Sequence, residues 1–144
     1  MSDVQRMRFH HIGYLVADLA IAQQHWKNAL GYELCGEVIH DAGQQARVCL
    51  LRNEGEFHWV ELISPDSDAS HLHRALQRKV SLHHVAYEVA NINAAAAQLR
   101  QSGCIPLGKA VIGAAFGRPI MWFHDPMSGL VELVAAGEGP YQLS

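Results

Sequence analysis

Cysteine is scarce in this 144-residue chain, with three residues in all. Cys35, Cys49 and Cys104 are scattered and show no C-x-x-C spacing. This excludes a disulfide framework and a thiolate metal cage, and the three read as reduced, mostly buried thiols of a cytosolic protein. A surplus of one charge is also missing: Lys and Arg number 11 against 14 Asp and Glu, for a net charge of −3. Neither a basic face for nucleic acid nor a polybasic membrane patch is expected from that balance. No apolar run reaches the length of a membrane span, and the opening Met1-Ser-Asp-Val-Gln-Arg-Met lacks the apolar core of a secretion signal. The expectation is a cytoplasmic protein with no nucleic-acid or membrane partner.

Histidine is plentiful. Ten histidines are present, in a composition that is otherwise ordinary for a globular domain at 49% hydrophobic and 17% charged residues. A chain of this length suits one domain and buries a real core. Within it the sequence repeats itself. Phe9-His-His-Ile-Gly-Tyr-Leu-Val-Ala-Asp-Leu returns as Leu82-His-His-Val-Ala-Tyr-Glu-Val-Ala-Asn-Ile, 73 positions on. His58-Trp-Val-Glu-Leu-Ile-Ser pairs likewise with Gly129-Leu-Val-Glu-Leu-Val-Ala, its glutamate displaced by 71 positions.

Each first motif is a β-type run ended by a capping residue, Asp18 or Asn91, and followed by a helical pattern. Leu19, Ala22, Trp26 and Ala29 share a face in the first helix, which Gly31 closes. Ile92, Ala95, Ala96 and Leu99 do so in the second, closed by Gly103. Two further strands fit between each helix and the final strand: Val38–His40 and Ala46–Arg52, then Leu107–Ile112 and Pro119–His124. Each half is therefore β-α-β-β-β. Module one spans about residues 9–65 and module two about 82–136. A linker helix over about 68–79 joins them, with Leu72, Ala75 and Leu76 on its apolar side. The expected fold is α+β: one domain over residues 1–144, in which two tandem βαβββ modules form a curved mixed sheet around a metal-binding cleft.

Strand alternation sorts the side chains. Ile12, Tyr14 and Val16 form the bulky set that packs on the helix, which leaves His11 on the other face. His84, Glu61 and Glu132 fall on that same inner face of their strands. Four such groups on apolar strand faces are costly unless paired or coordinated, and two converging carboxylates repel without a cation or protons. One divalent metal held by His11, Glu61, His84 and Glu132 answers both problems and leaves positions open for substrate oxygens. His10 and His83 have the opposite parity and read as structural or supporting groups. His71 and His73 read as surface residues, and His58 and His124 as strand-end residues near the cleft rim. Glu88 shares the face of His84.

The doubled plan, with His-Ile or His-Val in the first strand and Val-Glu-Leu in the last, resembles the vicinal oxygen chelate superfamily of glyoxalases, epimerases, extradiol dioxygenases and resistance proteins. The similarity runs from about Phe9 to about Ala136. It is strongest toward the methylmalonyl-CoA epimerases, through Val60-Glu-Leu-Ile-Ser-Pro-Asp-Ser-Asp, Leu82-His-His-Val-Ala-Tyr-Glu-Val and Ile120-Met-Trp-Phe-His-Asp-Pro. The resemblance puts the family's metal ligands on His11, Glu61, His84 and Glu132. It implies a metal-dependent isomerase or epimerase, or a lyase, in which Glu132 with Glu61 moves a proton beside a metal-bound carbonyl. The ion is Co, Ni, Zn, Mn or Fe, the substrate is an acyl-CoA or a glutathione adduct, and a homodimer is expected. Two alternatives stand beside the epimerase: a glyoxalase I-type lactoylglutathione lyase, and a non-catalytic binding or resistance protein. One departure matters. Epimerases carry a proton-transfer glutamate in the hairpin after the first helix, whereas this chain has His40-Asp-Ala-Gly-Gln-Gln-Ala-Arg47, with Asp41 or Gln44 the nearest polar substitutes. Arg118 stands in a loop and is either a contact for an anionic substrate group or a solvated loop residue.

Overall fold

Alternating side chains build the first strand, β1 (Arg8–Leu15), and Asp18 ends the extended segment by capping the helix that follows. Its carboxylate accepts from the Ile21 N–H at 3.0 Å. The helix α1 (Leu19–Leu30) stops at Gly31, whose φ of 75° lets its N–H return to the Lys27 carbonyl. Then come β2 (Glu33–Asp41), a 3-10 turn (Ala42–Gln44), β3 (Ala46–Arg52) and β4 (Trp59–Pro65). The computed structural model describes residues 4–137. Its second half repeats the plan with a short α2 (His71–Gln77), then β5 (Leu82–Val89), α3 (Ile92–Gln101), β6 (Ile105–Pro106), β7 (Val111–Ile112), β8 (Pro119–Asp125) and β9 (Gly129–Ala135). The class is mixed α+β, in two βαβββ modules.

The chain divides into two compact units, one from His11 to His83 and one joining the residues up to His10 with those from His84 onward. In the first, the strand order is β2-β3-β4-β1, with β1 and β4 parallel and the other pairs antiparallel. Leu19, Cys49, Leu51, Val60 and Leu62 are buried in its core, with Ile12, Tyr14, Val16, Ala22 and Trp26 packed against them. This is the helix-facing set that the alternation predicts. Ala29 is the exception: it is exposed. In the second unit β5 pairs parallel with β9, β9 pairs antiparallel with β8, and β8 carries both β6 and β7. Phe123, Leu133, Val89, Ala95 and Ala96 fill its core. A large side chain such as Phe123 contributes about 1.5–3 kcal/mol by leaving water.

Three elements differ from the sequence expectation. The strand expected over Val38–His40 runs the full length of β2, Glu33–Asp41. Of the strand expected over Leu107–Ile112 only β7 (Val111–Ile112) forms, and a separate two-residue strand, β6 (Ile105–Pro106), precedes it. Pro106 offers no N–H, and Gly108 bends away with φ of 159°. The linker helix is also shorter than 68–79. Ser70 caps it through the Leu72 N–H, and Lys79 at φ 62° lies beyond its end. No helix among the described residues is long and apolar enough to cross a membrane.

Candidate functional site

Register determines which side chains share a face. In the parallel pair β1–β4, His11 lies beside Trp59 and Gly13 beside Glu61. In β5–β9, Ala86 lies beside Glu132. Each glutamate therefore stands next to the residue two beyond its module's histidine, and that residue is small in both cases. Gly13 and Ala86 leave the space over which imidazole and carboxylate approach. The opposite neighbours differ: Leu50 flanks Glu61, and Trp122 flanks Glu132.

All four sequence-predicted ligands are buried, with His11 at 0%, His84 at 2%, and Glu61 and Glu132 at 4% exposure each. In the first unit, burial pushes the His11 imidazole below its ordinary pKa and the Glu61 carboxylate pulls it part of the way back. His11 is thus held neutral, the state in which a ring nitrogen can ligate a metal. In the second unit, His84 Nε2 and Glu132 Oε1 are 3.8 Å apart. That is too long for a strong hydrogen bond, but two atoms each about 2.1 Å from one ion lie at most about 4.2 Å apart. The Trp122 indole meets the His84 ring edge-to-face at 4.8 Å and fixes its plane. A buried imidazole and a buried carboxylate within one unit are a donor set that suits a divalent transition metal or zinc.

The remaining candidates sort differently. His10 is buried with its ring against Phe116 at 4.6 Å. His83 is half-buried, and burial, reinforced by His71, lowers its pKa to about 4. The sign of its effect on stability follows. Between pH 6.5 and 4 the unfolded chain takes a proton that folded His83 refuses, so stability falls as pH drops through that window. His11 acts in the same direction. Chemical denaturation of the metal-free chain is expected to give a lower midpoint at pH 5 than at pH 7, and equal midpoints would refute this linkage.

His73 faces Asp68 at 3.7 Å and His71 contacts Gln45, so both belong to the surface of α2 as expected. His58 lies 3.3 Å from Glu56, and His124 is exposed. Glu88 is half-buried beside Val134. Asp41 is buried, and its carboxylate serves the hairpin, accepting from the Gln44 backbone N–H at 3.3 Å and the Gln44 amide at 2.6 Å. The two hairpin substitutes are thus bound to each other. Arg118 is half-buried and donates to the carbonyls of Ala135 and Ala136, at 3.3 and 2.6 Å. It ties the loop before β8 to the end of β9 and is not a solvated loop residue. The sequence reading passed over Trp59 and Trp122, although the alternation that selected Glu61 also places Trp59 on its face.

The family model for the glyoxalase/bleomycin resistance protein/dioxygenase superfamily matches residues 10–122. An ethylmalonyl-CoA/methylmalonyl-CoA epimerase of Cereibacter sphaeroides is 32% identical over 133 residues, covering 88% of this chain and 96% of that protein. The mitochondrial methylmalonyl-CoA epimerase of Homo sapiens is 31% identical over 134 residues, covering 90% and 74%. Among solved structures, methylmalonyl-CoA epimerase from Mycobacterium tuberculosis superposes with a TM-score of 0.83 at 25% identity, covering 96% of this chain and 94% of that one. The chain belongs to the glyoxalase/bleomycin resistance protein/dioxygenase superfamily and, within it, is an enzyme of the methylmalonyl-CoA epimerase family.

Proposed function

We propose that His11, Glu61, His84 and Glu132 jointly hold one divalent metal ion, and that this site epimerises a malonyl-type acyl-CoA such as methylmalonyl-CoA. The observation that carries this reading is the matched register: both glutamates stand beside the residue two past their histidine. A bound divalent ion supplies Lewis acidity, worth several kcal/mol, toward the negative charge that develops on a thioester oxygen when the α-proton leaves. The chain's own residues do the rest. Glu132, ionised, takes the α-proton on one face of the substrate while Glu61, carrying a proton taken up from solvent, delivers it to the other face and inverts the centre. Exchange with solvent then deprotonates Glu132 and reprotonates Glu61 for the next turnover. Both carboxylates are buried at 4% exposure, which keeps bulk water from them. Asp41, the one carboxylate of the stretch His40–Arg47, is engaged by Gln44, so the proton work falls on the two glutamates.

The same proposal treats the two modules as one catalytic domain, in a cytoplasmic homodimer. Its test is incubation with methylmalonyl-CoA in deuterated water, with the methylglyoxal–glutathione adduct as a parallel substrate. Deuterium at the α-carbon together with inversion is the expected result. Turnover of the glutathione adduct alone would replace the epimerase with a lyase, and turnover of neither would reject the proposal.

A further inference from the structure

The inner face of the second unit carries a tryptophan at a place where the first unit has a leucine. Trp122 of β8 pairs across the ladder with Glu132, whereas Leu50 of β3 pairs with Glu61. Ala86 lies on the other side of Glu132, so one row runs Ala86, Glu132, Trp122 across β5, β9 and β8. His84 stands two residues before Ala86, on the same face of β5. With β9 between them, β5 and β8 are two strand spacings apart, or about 9–10 Å. The Trp122 and His84 ring centroids are nevertheless 4.8 Å apart, at an interplanar angle of 79°. The two side chains therefore lean toward each other and meet over β9, the strand that bears Glu132.

This meeting point bears on the His84–Glu132 pair. His84 Nε2 lies 3.8 Å from Glu132 Oε1. An imidazole turns broadly about its outer side-chain bond, and a half-turn puts a carbon where Nε2 stands. Ala86, with a single methyl group, is too small to block that turn. The indole is large enough, and it is itself anchored: Trp122 is half-buried and packs against Ala86, Ile120 and Val134. The first unit places its indole differently. Trp59 lies on the strand of Glu61 itself and beside His11, with the Arg52 guanidinium over it at 4.3 Å.

We propose that Trp122 is a positioning residue: its indole holds the His84 ring in the one orientation that turns Nε2 toward Glu132. This rests on the reading of His84 and Glu132 as metal ligands, and the metal affinity of the second module follows from it.

The experiment takes the full chain stripped of metal and measures two quantities. One is zinc affinity by calorimetry; the other is the order of the His84 ring in the metal-free chain, from NMR relaxation of its carbons. Trp122→Leu is expected to weaken zinc binding by about ten- to hundredfold, the usual cost of losing a group that orients a ligand, and to free the ring. Trp122→Phe keeps an aromatic ring for the edge-to-face contact and is expected to stay within about threefold of the parent. Trp26→Leu supplies the contrast. It removes an indole that packs with Tyr14 and Tyr32 on the helix side, and it should lower Tm while zinc affinity holds. If Trp122→Leu does not fold, Trp122→Ile, whose branched side chain suits a strand, carries the same expectation. Parent-level zinc affinity in the aliphatic variant would overturn the proposal, and so would an equal loss in Trp26→Leu. A parent chain that binds no divalent ion would fail the metal reading. The ring order of His84 would then decide this inference by itself, and a ring as fixed in the aliphatic variant as in the parent would overturn it.

Discussion

His84→Ala and His11→Ala are each expected to reduce bound metal from about one ion per chain to a small fraction, with metal affinity down by at least about 100-fold. Loss of an outer-sphere partner alone typically costs 10–100-fold, and a directly bound imidazole contributes more. The same two variants are expected to lose activity in parallel. The measurement is elemental analysis after purification without added metal, combined with thermal melting in the presence and absence of zinc. A ligand that binds only the folded state stabilises it by about 2.7 kcal/mol at a hundredfold excess over its Kd. That gain should appear in the parent chain and vanish in both variants. The equality of the two effects is the discriminating point. Each module supplies one buried imidazole, at 0% and 2% exposure, so a shared ion must lose a ligand in either variant. Metal retained in His11→Ala and lost in His84→Ala would show that the second module binds it alone through His84, Glu132 and their surroundings.

Much of this architecture is legible in the sequence because duplication and strand alternation are both simple periodicities. The parity of Ile12, Tyr14 and Val16 predicts the helix side of β1, and those residues do pack on the core beneath α1. The same parity places His11, Glu61, His84 and Glu132 on the opposite faces, where all four are buried. The features that escape it depend on contacts across strands or on single backbone torsions. Register is one: that Gly13 flanks Glu61 as Ala86 flanks Glu132 follows from pairing, not from either strand alone. The stretch Leu107–Ile112, which reads as one strand, is another: only Val111–Ile112 pairs, and Gly108 within it takes a φ of 159°. Arg118 and Arg52 show the same limit for side chains. Both are long and cationic near a loop, yet one is bound to backbone carbonyls and the other lies on an indole. Composition treats them alike, and only the surrounding acceptors separate them.

Glu132→Gln is expected to lower kcat by about 10²–10⁴-fold, the usual weight of a positioned acid or base, while metal content stays close to that of the parent. An amide keeps an oxygen that can face a cation but has no useful proton affinity, so the variant separates proton transfer from metal holding. Glu61→Gln refines the test. On the proposed two-face mechanism each carboxylate serves one face of the α-carbon, and inversion needs both. With Glu61 replaced, Glu132 still removes and returns the proton on its own face. In deuterated water one substrate enantiomer should then acquire label with retention of configuration, while the other stays unlabelled and inversion is lost. Glu132→Gln should show the mirror-image preference. The burial of both carboxylates makes the experiment sharp, because little bulk water reaches the α-carbon to supply a proton in their place. If Glu61→Gln inverts at the parent rate, Glu132 alone moves the proton and Glu61 only holds the ion. If both variants invert at the parent rate, the proton-transfer groups lie elsewhere, and Glu88, half-buried on the same face as His84, becomes the first residue to replace.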